Sequence, residues 1–287
     1  MKQRHRNILA ATGVALMIAN LLRMSMPSVV VKLERARLYS NHQEEPETLE
    51  INVQDKICSI QKPADVEEIY RYMENPTLTC DTPVMVGGTA RKEKPLILNE
   101  KWMCMDERYN FRPGNCTIYS FGIDVDWSFD DDMDKRFRCK VYSFDHTIRK
   151  QDHARSDNIK FYATGISSQK KGHVDRYINL LKRFGHENTI IDYLKIDVEG
   201  AEMEFFEDVF YQTPEVLKNI KQIGMEIHIK REESRMERYY KYSQLLECHG
   251  FKLIFQHILK MPRLMFERNG VNRSCCYELV WAQDKQW

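Results

Sequence analysis

From Cys116 to the C-terminus, short apolar runs alternate with segments of helical spacing, and this alternation constrains the fold more than any other feature of the chain. Seven runs read as strands: CTIYSFG from Cys116, CKVYSFD from Cys139, IKFYATGIS from Ile159, TIIDYLKID from Thr189, QIGMEIHI from Gln222, FKLIFQHI from Phe251 and CCYELVWAQ from Cys275. Between the first two, Ser128 and Asp131 read as a capping box, and Phe129, Met133 and Phe137 then recur at helical spacing. VDRYINLLKRFG sets Val174, Tyr177, Ile178, Leu181 and Phe184 on one side of a helix that stops at Gly185. Another helix is expected from Gly200, Thr213-Pro214 restarts a short one, and ESRMERYYKYSQLLECHG reads as a long one. Strands alternating with helices require a mostly parallel sheet covered on both faces, with the last two strands an antiparallel pair. Right-handed crossovers then put ligands at the carboxyl ends of the strands.

The first part of the 287-residue chain reads differently. A basic lead, MKQRHRN, precedes the apolar Ile8–Leu22 run, which as a helix spans ~22 Å against a hydrocarbon core of ~30 Å. Residues 1–33 are therefore expected to be a signal anchor or signal peptide. No small-x-small cleavage site follows Leu22, which favours an uncleaved anchor and a single-pass type II membrane protein of the secretory pathway; secretion is the alternative. Residues 34–50 read as a polar stem, and 51–111 as an N-terminal cap in which ADVEEIYRYME has helical spacing and prolines break the rest. The main domain is expected over 112–287. Eight cysteines, all after the leader, and the sequons at Asn115 and Asn272 fit a disulfide-bonded, glycosylated lumenal protein, with the pairing open. With 43 basic against 42 acidic side chains, nothing favours nucleic acid as a partner.

Acids gather at the strand ends. The first strand runs into Gly122, Asp124 and Asp126, and the second ends in Asp145, 23 residues after Gly122. A glycine there admits a close ligand, and an acid at about that interval meets the ribose of a bound nucleoside. Asp130, Asp131 and Asp132 complement the dipole of the helix they begin. Asp197, Glu199 and Glu202 end the fourth strand, and Glu226 and His228 share one face of the fifth. Together they could form a carboxylate–imidazole site, either a general base or a seat for a divalent ion held by Asp197, Glu199 and Glu226.

YLKIDVEGAE (Tyr193–Glu202) with IGMEIHI (Ile223–Ile229) resembles the paired motifs of FkbM-type methyltransferases. KWMCMDERYN, CTIYSFGIDVDWSFDDDM and CKVYSFDHT are similar to the methyltransferase-like protein 24 family, also called methyltransferase domain 22. The resemblance implies a class I, Rossmann-like α/β three-layer sandwich with a seven-stranded, mostly parallel sheet whose last strand is antiparallel. It implies S-adenosylmethionine as cofactor. Ser120, Phe121 and Gly122 would line its methionine side with Asp124 beside them, and Asp145 would bind the ribose. Gly165 and Ile166 would sit near the adenine, and Asp197 and Glu199 at the transfer centre. The glycine-rich loop usual in that class is reduced here to Gly122, and the acid expected at the end of the first strand is Ser120.

The expected reaction is methyl transfer to a hydroxyl of a saccharide or small-molecule acceptor, with His228 as first candidate for the base and Glu199 as second. Two other readings stand beside it. Asp124-Val125-Asp126 after an apolar strand suits a metal-dependent glycosyltransferase, and the missing glycines suit a non-enzymatic lumenal relative of the fold.

Overall fold

The structure, a computed structural model, describes residues 48–53, 56–90, 97–229 and 232–287. The anchor and most of the stem lie outside them; among the described residues no helix is long and apolar enough to cross a membrane.

An antiparallel pair, β1 (Thr48–Val53) and β2 (Lys56–Gln61), leads into helix α1 (Val66–Glu74). Asp65 accepts from Glu68 N at 2.8 Å, while Glu68 Oε2 accepts from Ala64 N at 2.7 Å, so the first turn is held from both sides. A second antiparallel pair, β3 (Pro83–Ala90) and β4 (Ile97–Cys104), occupies a stretch in which the sequence showed only prolines and broken pattern.

The alternating region then follows as expected. It comprises β5 (Thr117–Phe121), α2 (Ser128–Phe137), β6 (Lys140–Phe144), a two-residue β7 (His153–Ala154) and β8 (Ile159–Tyr162). The short parallel pair β9 (Gly165–Ile166) and β10 (Val174–Asp175) precedes α3 (Tyr177–Phe184). Next come β11 (Ile191–Ile196), α4 (Glu202–Tyr211), a 3-10 turn opened by Pro214, and β12 (Ile220–His228). Helix α5 (Glu233–Cys248), β13 (Phe251–Ile258), the pair β14 (Met265–Arg268) and β15 (Val271–Ser274), and β16 (Cys276–Gln283) complete the chain.

The main sheet has the order β13-β16-β12-β11-β5-β6-β8-β7. Strands β12, β11, β5, β6 and β8 are parallel, and β16 is antiparallel to both β12 and β13. This is the class I arrangement of seven strands, with β7 added as an eighth, two-residue antiparallel edge. Side chains alternate across it. Ile118 and Tyr193 join the apolar cluster under α2, whereas Tyr119, Phe121, Leu194 and Ile196 join the larger cluster under α3, α4 and α5. Both faces being covered, every residue of β11 is buried.

Two local expectations change. Ser128 does not cap α2: its Oγ accepts from Gly88 N at 2.9 Å, while Asp126 Oδ1 accepts from Ser128 N at 2.8 Å. Val174 and Asp175 pair with β9, because their backbone is used by the sheet, and α3 starts only at Tyr177. Gly185 ends that helix at φ 70° as expected, its N–H turned back to Leu181 and Lys182. Cys58–Cys248, Cys80–Cys104 and Cys116–Cys139 are disulfides, and Cys275 and Cys276 are free.

Candidate active site

The order of the parallel strands reverses between β5 and β11, and a cavity of about 580 Å³ opens at their carboxyl ends. Gly122 forms its floor. At φ 80°, a Cβ on it would lie 1.6 Å from the Asp197 carbonyl oxygen, so no other residue fits between the two strand ends. The loop beyond Gly122 is organised by Asp145. Its Oδ2 accepts from Ile123 N at 2.9 Å and Asp124 N at 2.8 Å, and its Oδ1 from Thr147 N at 2.7 Å and Thr147 Oγ1 at 2.6 Å. A carboxylate offers about four lone-pair positions, and these donors take them all. Burial disfavours its charge, but the bonds from Thr147, Asp124 and Ile123 outweigh that and hold its pKa below the usual carboxylate value.

Deeper in the cavity lies a network of charges. Lys101, from β4, is 1% exposed and sends Nζ to Asp197 Oδ2 at 3.2 Å, to Glu226 Oε2 at 3.8 Å and into direct contact with Glu278. Burial opposes its charge, yet Asp197, Glu278 and Glu226 keep it an ammonium, well above the ordinary lysine pKa. Lys195, a lysine within a buried strand, donates to the Gly122 carbonyl at 2.5 Å and stands 3.9 Å from Asp197. For Asp197, desolvation is overcome by Lys101, Lys195 and His228, and its pKa is lowered.

His228 is enclosed by carboxylates. Its Nδ1 lies 3.1 Å from Glu202 Oε1, and its Nε2 lies 3.3 Å from Glu226 Oε1 and 3.4 Å from Glu199 Oε2. Glu202 is fully buried and fixed in turn by the Tyr239 hydroxyl at 2.9 Å and Gly200 N at 3.0 Å. Burial alone would depress the ring's pKa, but Glu202 and Glu226 raise it to about 11. Both ring nitrogens thus face carboxylates, which favour the protonated ring over a free base. Glu199, at φ 54° with its side chain 86% exposed, is the carboxylate left facing the open cavity.

Of the residues singled out in the sequence, Phe121, Gly122, Asp124, Asp145, Gly165, Ile166, Asp197, Glu199, Glu226 and His228 all border this cavity. Ser120 does not. It lies on the other face of β5, fully buried, its hydroxyl 3.4 Å from Asp130 Oδ2. Asp130 is itself buried under α2 and accepts from Ser143 Oγ at 2.5 Å, so it is a core residue rather than a solvent-facing complement to the helix dipole. Period-2 alternation from the apolar Tyr119 and Phe121 already puts Ser120 on the opposite face. Asp124 and Asp126 do not converge as a metal-binding pair: Asp126 Oδ1 accepts from Ser128 N, and among the described residues the clusters able to hold an ion include neither. Lys101, Glu278 and Cys276 escaped sequence reading. Lys195 left a signal, since a lysine inside a strand that is otherwise apolar but for Asp192 needs a partner.

A family model described as Methyltransferase domain (Methyltransf_22) matches residues 33–279. No curated protein matches the chain. Among solved structures, the METTL16 MTase domain aligns at 9% identity and a TM-score of 0.36, covering 61% of this chain and 63% of that one. A Streptococcus pneumoniae protein assigned as a tRNA methyltransferase, in complex with S-adenosyl-L-methionine, aligns at 12% identity and a TM-score of 0.34, covering 63% and 72%. The human methyltransferase 10 domain containing protein aligns at 9% identity and 0.34, covering 76% and 98%. With the family model spanning 33–279 and a sheet in the class I order, the chain belongs to the methyltransferase-domain family Methyltransf_22.

Proposed function

We propose that the protein is an S-adenosylmethionine-dependent O-methyltransferase of the secretory pathway, acting on a hydroxyl of a saccharide or small-molecule acceptor. The observation that carries this reading is the acidic cavity at the strand switch, floored by a glycine that no side chain could replace. Its residues fit the cofactor. The volume suits a nucleoside-sized ligand, Gly122 clears the floor, Gly165 and Ile166 line the side next to His146, and Asp124 and Glu199 offer negative charge to a cationic ligand. Bound there, S-adenosylmethionine supplies an electrophilic methyl group on a cationic sulfur.

The chain's own residues divide the remaining work. Asp145 holds the loop that follows β5 and so acts on the cofactor through that loop, its own acceptor positions being used. Glu199 takes the proton of the acceptor hydroxyl, in place of His228, and leaves the oxygen free to attack. Positioning supplies most of the rate, as in other displacements between bound partners. Three disulfides and exposed sequon asparagines, Asn115 and Asn272, support the lumenal setting; the leader would anchor the chain in the membrane.

Calorimetric titration of S-adenosylhomocysteine into the oxidised full-length protein tests this. Saturable binding is expected, weakened at least tenfold in Asp145→Ala, which frees the loop. A folded wild type that binds no adenosyl ligand would remove the cofactor and the reaction with it.

A further inference from the structure

Among the described residues, three groups of His, Cys, Asp and Glu bring their ligand atoms within 4.8 Å of one another. Cys80 and Cys104, with Asp106, are joined in a disulfide and are not available to an ion. Asp197, Glu226 and Glu278 already surround the Lys101 ammonium, which takes the place a cation would occupy. The third group, Glu226, His228 and Cys276, borders the cavity; without an ion His228 Nε2 shares a proton with Glu226 and Glu199, and a metal would take the place of that proton.

We propose that Glu226, His228 and Cys276 form a zinc site at the wall of the catalytic cavity. The donors sit on rigid elements. His228 and Cys276 are paired residues of β12 and β16, and Glu226 lies two positions before His228 on the same face. The outer shell is built as metal-bound histidines require. Nδ1 is committed to the buried Glu202, itself fixed by Tyr239 and Gly200, which leaves Nε2 directed at the cavity side of the cluster. The histidine–carboxylate spacing also agrees, and the thiol lies within 4.8 Å of both. Two donors on arms of about 2.0–2.1 Å at a tetrahedral angle stand about 3.4 Å apart. Nε2 is 3.3 Å from Glu226 Oε1. Imidazole, thiolate and carboxylate together select zinc over magnesium or calcium, which prefer all-oxygen shells.

Three protein donors would leave a zinc ion one further position for an acceptor, and Glu199 Oε2 lies 3.4 Å from Nε2. The catalytic consequence rests on the methyl-transfer reading. Such an ion would acidify the acceptor hydroxyl; the hydroxyl proton passes to Glu199, the oxygen attacks the methyl carbon, and the carbon–sulfur bond breaks with its electron pair left on sulfur as S-adenosylhomocysteine. Binding of the ion itself does not depend on that reading.

The test uses the full-length protein from a secretory host, purified without chelator and assayed for zinc by plasma mass spectrometry. The metal is then stripped, and cobalt(II) is added as a spectroscopic probe. About one zinc per chain is expected, along with a thiolate-to-cobalt charge-transfer band. Cys276→Ser should abolish the band and weaken zinc binding at least tenfold, Glu226→Gln should weaken it similarly, and Cys275→Ser should change neither. Near-ultraviolet circular dichroism checks that each variant is folded. A folded wild type that neither carries nor takes up metal would overturn the site. So would zinc uptake indifferent to Cys276 and Glu226, or a Cys275–Cys276 bond in the native protein, their Sγ atoms being 2.6 Å apart. Binding of S-adenosylhomocysteine is scored separately. Zinc without it upholds the site and removes methyl transfer, and the converse result removes only the site.

Discussion

Lys101 is the residue on which the floor of the cavity depends. It is one buried ammonium among three carboxylates, and its contacts with Asp197 and Glu278 span 96 and 177 positions of sequence. Lys101→Met would leave those acids buried without their cation, and removal of one member of a buried ion pair typically costs about 3–5 kcal/mol. Chemical denaturation should show a loss of that size, whereas Lys135→Met, at a solvent-exposed pair with Asp131, should shift stability by less than about 1 kcal/mol. Gly122→Ala makes a sharper case, since its Cβ meets the backbone of Asp197 and not a side chain that can turn away. That variant should lose S-adenosylhomocysteine binding even where it folds. Glycine, acids and histidine at the strand ends were legible because the sheet pattern fixes where strand ends point. Lys101 was not, because nothing near it in sequence shows which carboxylates it will meet. The surroundings of His228 were not legible either, since Glu202, which engages its Nδ1, arrives from a different element.

The central strands were legible as elements because burial on both faces makes them predominantly apolar runs. The β3–β4 pair was not. Gly87, at φ 69°, lies so close to α2 that a Cβ would be 2.6 Å from Phe129 N, and its N–H donates to Asp132 Oδ2 at 3.0 Å. The strand is therefore shaped by docking on a helix that comes later in the chain, and its local sequence carries little strand signal. At the far end of α5, His249 packs against Phe210 with ring centroids 5.7 Å apart, and desolvation lowers its pKa from 6.5 to about 4. The folded state thus keeps this ring neutral where the unfolded chain protonates it. Stability contributed here is intact above about pH 6.5 and falls as pH drops from there towards 4. Urea midpoints at pH 7.5 and pH 5 should show a wild-type loss exceeding that of His249→Leu by up to about 2 kcal/mol, since each pH unit is worth about 1.4 kcal/mol. An equal loss in both proteins would mean that the ring titrates normally.

At the scale of the molecule, the described residues between Thr48 and Trp287 cluster as a single unit, and the disulfides explain how the N-terminal elements are held to it. Cys58–Cys248 closes a span of 190 residues, joining β2 to the last residue of α5, while Cys80–Cys104 and Cys116–Cys139 close spans of 24 and 23. In the chain-entropy account a cross-link destabilises the unfolded ensemble, typically by about 2–4 kcal/mol and more for a longer loop. Eight cysteines were legible in the sequence but their pairing was not, because proximity across 190 positions is a property of the fold. Thiol alkylation and chemical denaturation read the consequences separately. Alkylation of the unfolded, unreduced protein should label Cys275 and Cys276 alone, and all eight cysteines only after reduction. Cys58→Ser/Cys248→Ser, which leaves the other two bridges in place, should fold and lose about 2–4 kcal/mol. Labelling of all eight thiols without reductant would place the chain in a reducing compartment and remove the lumenal setting. Labelling of none would mean that Cys275 and Cys276 are bonded, and the cavity would then lack the thiolate proposed for its metal.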